Sequence, residues 1–352
     1  MEYIKLISMI PFIELRVTIP LGIAMDLNHI YVYISCLIGL SIVAVPIVLV
    51  FRQVIDHLRH RKYFNKVIRW SEAKIEGWFK KLKSASIIGL AANSLVGENI
   101  IKPYEYYHNN VYGMMCLLDV MKENNVDKIV FSSTAATYGE PKNIPIMESD
   151  ETNPTNTYGE TKLAMEKMMK WFDTAYGTKY VSFRYFNAAG AYFDGSIGEA
   201  HATETHLIPL ILQVPLGKRE HISIFGSDYD TKDGTCIRDY IHVMDLASAH
   251  YKALEYLRNG NNSDIFNLGN GNGYSVKEVI DVARKVTNFD IPANEEARRS
   301  GDPAVLIATS EKAKSVLGWK PEFDSLEKII EDAWRWHSNN PNGFKEKVIV
   351  EV

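Results

Sequence analysis

Strands alternating with helices from Ala91 onward predict an α/β protein built on a parallel sheet, and an uncharged run ahead of that body predicts a transmembrane helical segment before it. Two kinds of observation carry these expectations. In the body, short apolar stretches such as Lys128-Ile-Val-Phe-Ser-Ser-Thr134 alternate with longer segments whose apolar residues recur at helical spacing. Near the start, Ile30 to Phe51 runs for about 22 residues without a charge, the length a helix needs to cross a bilayer.

In chain order, Ile7 to Met25 is apolar but interrupted by Glu14 and Arg16, and reads as a second span or a re-entrant segment. Ile30 to Phe51 comes next; its Pro46 is tolerated more readily in a membrane helix than in a soluble one. Beyond Arg52 the chain turns basic and amphipathic, which places the residues after it in the cytoplasm and gives residues 1–83 a means of membrane association. Tyr104 to Asn125 reads as a helix with Val111, Met114, Met115, Leu118 and Met121 as its core stripe. Lys128 to Thr134 is a buried strand, Tyr158 to Trp171 a helix packing Leu163, Met165 and Met168, and Tyr180 to Asn187 the next strand. Turns fall at Gly139-Glu-Pro141 and Asn153-Pro154. The segment Phe266-Asn-Leu-Gly269-Asn-Gly271-Asn-Gly273 has the spacing G-x-G-x-G, and reads as a turn leading into a helix that Ser275 and Glu278 close with a capping box.

The 352 residues, 46% of them hydrophobic, suffice for a large core, and a net charge of −4 without basic clustering in the body excludes nucleic acid as a partner. Cys36, Cys116 and Cys236 lack metal-site spacing and read as reduced thiols.

Tyr158 and Lys162 stand four residues apart, on one helix face, downstream of the hydroxyl-rich strand end Ser132-Ser-Thr134. The ammonium favours the phenolate and should bring the tyrosine pKa down toward working pH, which makes an acid–base device suited to nicotinamide chemistry.

Five blocks extend this reading: Phe131-Ser-Ser-Thr-Ala-Ala-Thr-Tyr-Gly139, Tyr158-Gly-Glu-Thr-Lys162, Phe183-Arg-Tyr-Phe-Asn-Ala-Ala-Gly190, Asp233-Gly-Thr-Cys-Ile-Arg-Asp-Tyr-Ile-His-Val-Met-Asp245 and Arg298-Arg-Ser-Gly-Asp302. Together they resemble the UDP-glucose 4-epimerases of the extended short-chain dehydrogenase/reductase superfamily, over roughly residues 91–340. The block from Met9 to Gly22 resembles the opening of the small multidrug export protein family, over residues 1–90. The resemblance thus implies a fusion: a membrane-helical segment with a basic amphipathic stretch (1–90), the C-terminal half of a Rossmann-like NAD-binding domain whose first half is missing (91–190), and a mainly UDP-sugar-binding α/β region (191–345).

By that resemblance the chain interconverts UDP-galactose and UDP-glucose through transient oxidation at C4 with NAD, in galactose metabolism. Tyr158 is the base, Lys162 lowers its pKa and reaches the nicotinamide ribose, and Thr134 stands where many members have Ser. Asn109, Ser132 and Tyr185 join Tyr158 and Lys162 on the cofactor side. Asn187, Phe225, Arg238, Arg299 and Asp302 join Thr134 on the substrate side, and Leu306 lies near the position that gates sugar size. No metal is implied, and members often pair as homodimers. Two departures stand out: Ser94 replaces a Lys that many members place near the nicotinamide, and no Gly-rich phosphate loop precedes the body. The alternatives are a related nucleotide-sugar dehydratase, which would carry acids where Ala135 and Ala136 stand, and a non-catalytic membrane-anchored or export-family protein.

Overall fold

The computed structural model describes residues 86–89, 101–201, 203–299 and 302–344. The apolar runs Ile7 to Met25 and Ile30 to Phe51, the basic stretch after Arg52 and Ser94 lie outside these residues. Among the described residues, no helix is long and apolar enough to cross a membrane.

The sheet begins with β1 (Ser86–Gly89), upstream of where the alternating pattern becomes legible. Next come α1 (Pro103–Tyr106), a π-helical turn (Tyr107–Tyr112) and α2 (Gly113–Glu123), so the single helix expected over Tyr104 to Asn125 is three consecutive pieces. Of its apolar stripe, Met114, Leu118 and Met121 are buried, whereas Met115 is 47% exposed. Within α2 the buried face is centred on Met114, Leu118 and Met121, and Met115 lies at its margin. β2 (Lys128–Ser132) stops two residues short of Thr134, because Thr134 leaves the strand to cap a 3-10 turn, Ala135–Tyr138.

α3 (Thr157–Tyr176) starts at the Asn156 cap, whose side-chain oxygen accepts from Gly159 N at 2.9 Å, and ends at Gly177, which takes the left-handed φ of 73° that such a helix end favours. β3 (Lys179–Tyr185) and β4 (Asn187–Ala189) divide the strand expected over Tyr180 to Asn187, since β4 turns away to pair elsewhere. The remaining elements are α4 (Leu207–Leu212), β5 (Ile222–Phe225), β6 (Ile237–Arg238), β7 (Tyr240–His242), α5 (Val243–Arg258), β8 (Asp264–Leu268), β9 (Tyr274–Ser275), α6 (Val276–Thr287), β10 (Ala293–Glu296), β11 (Val305–Leu306), α7 (Glu311–Leu317) and α8 (Leu326–Asn339).

The principal sheet has the order β1-β2-β3-β8, parallel throughout. Alternation along β2 sends Ile129 and Phe131 to one face, where Met114, Leu118 and Met121 of α2 and Met165 and Met169 of α3 cover them. Val130 points to the other face, against Leu246, Ala249 and Ala253 of α5 and Trp319. With helices on both faces the strands are apolar on both sides, as a parallel sheet requires. A second core joins Ile208 and Ile211 of α4, Ile222 and Ile224 of β5, Val279 and Ile280 of α6, and Ile329 and Ile330 of α8. Smaller pairings, β4 with β7, β5 with β10, and β6 with β9 and β11, knit this C-terminal region.

Candidate active site

The carboxyl end of β2 is where the hydroxyl-rich sequence Ser132-Ser133-Thr134 emerges, and all three side chains are buried. In an open parallel sheet this end is where ligands bind. Lys162, 2% exposed, reaches from the second turn of α3 to donate to the Ser132 carbonyl at 2.7 Å, and its ammonium lies 5.8 Å from the centre of the Tyr158 ring. Tyr158 is half-buried and hydrogen-bonded to the Thr134 hydroxyl. Thr134 also accepts from Ala136 N at 3.2 Å, so the bond to its own backbone and the bond to the tyrosine coexist. A hydroxyl has one donor and two acceptor sites, enough for both.

The electrostatics differ from the sequence expectation. Burial pushes the Tyr158 phenol up, nearby Tyr185 adds to this, and the Thr134 hydrogen bond only partly opposes them. Burial also lowers Lys162 to about 8, against the pull of Glu166. Desolvation therefore outweighs the ammonium and holds the phenol above its ordinary range.

Tyr185 bonds the Ser132 hydroxyl, which also meets His250 Nε2 at 2.8 Å. Asn109 is exposed and joins the site indirectly: it donates to Asn110 Oδ1 at 3.0 Å, Asn110 donates to Thr161 Oγ1 at 3.0 Å, and Thr161 donates to the Tyr158 carbonyl at 2.8 Å. Beneath these groups lies a layer that sequence reasoning missed. Glu166 accepts from Ser133 Oγ at 2.5 Å and pairs with Arg184 through bonds of 3.1 and 2.6 Å, all three side chains being buried. A signal for Glu166 was present, since Tyr158, Lys162 and Glu166 recur at four-residue intervals on one helix face. His250 offered none beyond its place on a buried helix face.

The substrate-side candidates gather around β6. Arg238 Nη2 pairs with Asp302 Oδ1 at 2.5 Å, and the Arg299 guanidinium stacks over the Phe225 ring at 4.0 Å. Burial pushes the Cys236 thiol up, and the charges of Arg238, Asp302 and Arg299 all act on it, which marks their convergence. Asp302, which the resemblance puts on the substrate side, accepts from Arg238. Asn187 donates from its amide side chain to the Asp239 carbonyl at 3.0 Å, next to Arg238. It thereby links the Tyr158 half of the site, which ends at Tyr185, to the arginine half. Leu306, on β11, packs beside Tyr138 and Ile146.

The G-x-G-x-G turn folds as the sequence indicates. Ser275 and Glu278 form the reciprocal capping box. The amides of Asn270 and Gly271 donate to the Asp239 carboxylate at 2.8 and 3.3 Å, so they are engaged by the protein's own anion rather than offered to a phosphate. Burial raises that carboxyl to about 6 despite these bonds.

The family described as "NAD dependent epimerase/dehydratase family" matches residues 52–269. That match reaches well upstream of residue 91 and starts directly after the uncharged run ends at Phe51. A UDP-glucose 4-epimerase from Halalkalibacterium halodurans is 63% identical over 259 residues, covering 74% of this chain and 78% of that protein. One from Lacticaseibacillus casei is 52% identical over 302 residues, covering 84% and 91%. A crystal structure of the UDP-glucose 4-epimerase from Bifidobacterium longum in complex with NAD+ and UDP is 41% identical, with a TM-score of 0.69 over 73% of this chain and 77% of that one. The chain belongs to the NAD dependent epimerase/dehydratase family, and within it resembles the UDP-glucose 4-epimerases.

Proposed function

We propose that this chain is a UDP-glucose 4-epimerase that interconverts UDP-galactose and UDP-glucose with NAD. The observation that carries the reading is the joined set of Tyr158, Thr134, Lys162 and Ser132 at the carboxyl end of β2. The cofactor's nicotinamide side fits these residues. Among the described residues the buried Lys162 ammonium donates to Ser132 and lies 4.7 Å from the Phe131 ring centre, and as a three-donor group it can also serve a bound molecule such as a ribose. NAD, when bound, would supply a reversible hydride acceptor for C4 of the sugar.

In this proposal Tyr158 accepts the proton of the sugar 4-hydroxyl and gives it back after the 4-keto sugar has turned its other face. Thr134 holds the phenol in place and shares its proton. Ser132, bonded to both Tyr185 and His250, fixes the lower wall. Asn109, Ser132 and Tyr185 are assigned to the cofactor side. Arg238 and Arg299 take the diphosphate with Asn187, and Phe225 packs near the uracil. Asp302 holds Arg238 until ligand arrives. A forked guanidinium suits a diphosphate better than an ammonium does. A dehydratase would need an acid after the strand end, and Ala135, buried, and Ala136 supply none. Residues 1–83 are read as a membrane attachment of a cytoplasmic enzyme body, on the strength of the Ile30 to Phe51 run.

The test is Tyr158→Phe, assayed for UDP-galactose turnover with NAD supplied. Loss of a general acid–base should lower kcat by about 10²–10⁴-fold while UDP binding is kept. Undiminished turnover would overturn the assignment.

A further inference from the structure

A second cluster of reactive side chains lies apart from the Tyr158 and Arg238 groups, in the segment that leads from β4 into α4. The spacing Glu199-x-His201-x-x-Glu204-x-His206 brings two carboxylates and two imidazoles together, one ligand atom from each within 4.8 Å of all the others. His201 Nδ1 lies 3.1 Å from Glu199 Oε1 and 3.4 Å from Glu204 Oε2. His206 Nδ1 lies 2.6 Å from that same Glu199 oxygen and 3.4 Å from Glu204 Oε1. The two imidazole rings are 5.4 Å apart.

We propose that Glu199, His201, Glu204 and His206 form a binding site for one divalent transition-metal ion of the zinc class.

Three features support this. Four ligands at about 2.0–2.2 Å around a tetrahedral zinc ion stand roughly 3.3–3.5 Å from one another; the His201–Glu199, His201–Glu204 and His206–Glu204 separations of 3.1–3.4 Å are close to this, and the 2.6 Å between His206 and Glu199 would open on binding. Imidazole nitrogen with carboxylate oxygen suits zinc and its neighbours better than calcium or magnesium, which favour all-oxygen sets. Charge also balances: two carboxylates neutralise a dication, whereas two protonated imidazoles would repel each other across one shared Glu199 oxygen. Part of the site is fixed in advance. The Glu199 carbonyl accepts from Trp336 Nε1 at 2.9 Å, and Glu204 Oε1 accepts from the backbone N–H of Thr205 at 2.7 Å and of His206 at 2.8 Å. The imidazoles are half-exposed, which leaves an entry path. The ion would close the loop ahead of α4 and pin it against α8, a structural role distinct from the Tyr158 chemistry.

The test is a Co2+ titration of the full chain after chelator treatment. The expected result is an intense visible absorption of four-coordinate cobalt that saturates at one equivalent, is displaced by Zn2+, and weakens in affinity by at least about a hundredfold in His201→Ala. Glu204→Gln serves as a second variant, and circular dichroism of both without metal shows that they fold. Two results would overturn the proposal: only the weak spectrum of hydrated Co2+ without saturation, which would make the cluster a set of ion pairs, or unaltered binding in both folded variants.

Discussion

At the scale of single residues, the site is governed by desolvation. Lys162 and Tyr158 stand where an ammonium and a phenol should help one another, yet burial disfavours the charged form of each. The group that acts directly on the phenol is Thr134, through a hydrogen bond. Replacing it with valine keeps the shape and deletes the hydroxyl, so Thr134→Val should lose about 1–3 kcal/mol, read as a fall in kcat of roughly tenfold to a hundredfold, and Thr134→Ser should restore most of it. Equal losses in both variants would show that the methyl, not the hydroxyl, matters. The Tyr158, Lys162 and Thr134 set was legible because its chemistry is written in residue type and spacing. Ser133 and Arg184 were not, and the spacing placed Glu166 on the right helix face without showing its partners, since a buried ion pair between α3 and β3 is set by tertiary packing.

At the scale of elements, the close approach of α3 to the 3-10 turn after β2 positions the reacting hydroxyls. Gly159 makes that approach, and a Cβ there would sit 2.5 Å from the Ala136 carbonyl oxygen. On an open helix, alanine in place of glycine would stabilise by about 1 kcal/mol. Here overpacking against backbone should reverse the sign, and Gly159→Ala should cost about 1–3 kcal/mol with a matching loss of kcat as Tyr158 moves from Thr134. A raised unfolding midpoint with full activity would show that the turn yields. Strand and helix types were readable from periodicity, while their ends were not. Thr134 and Asn187 both fell outside the strands expected for them, the first to cap a turn and the second to pair with β7. The π turn at Tyr107–Tyr112 has no signature in hydrophobic spacing.

At the scale of the whole molecule, the two halves of the site come from different parts of the chain: the turn after β2 and helix α3 supply Thr134, Tyr158 and Lys162, and the C-terminal region supplies Arg238, Arg299 and Asp302. The sequence carries no G-x-G-x-x-G motif, and the Gly-rich turn at Gly269–Gly273 faces Asp239. Pyrophosphate is ordinarily held by such loop amides, so the purified chain should retain well under one equivalent of NAD, measured from the nucleotide released on denaturation. Stoichiometric NAD would show that another segment holds the pyrophosphate. The alternation of strands and helices made the sheet legible, whereas β1 was hidden because four residues beside a basic stretch show no pattern of their own.

The parallel sheet also fixes when the site can exist during folding. β3 finds its neighbour β8 only after a long excursion of the chain, and Tyr180 N bonds Ser263 Oγ across 83 residues of sequence. Contacts of such separation form slowly. A nascent chain that has emerged as far as residue 190 already contains Thr134, Tyr158 and Lys162, yet it lacks the strand that flanks β3 and the α5 helix that brings His250 to Ser132. Catalytic competence should therefore appear late, once β8 has docked and the segment carrying Arg299 and Asp302 has followed it, and not accumulate as synthesis proceeds.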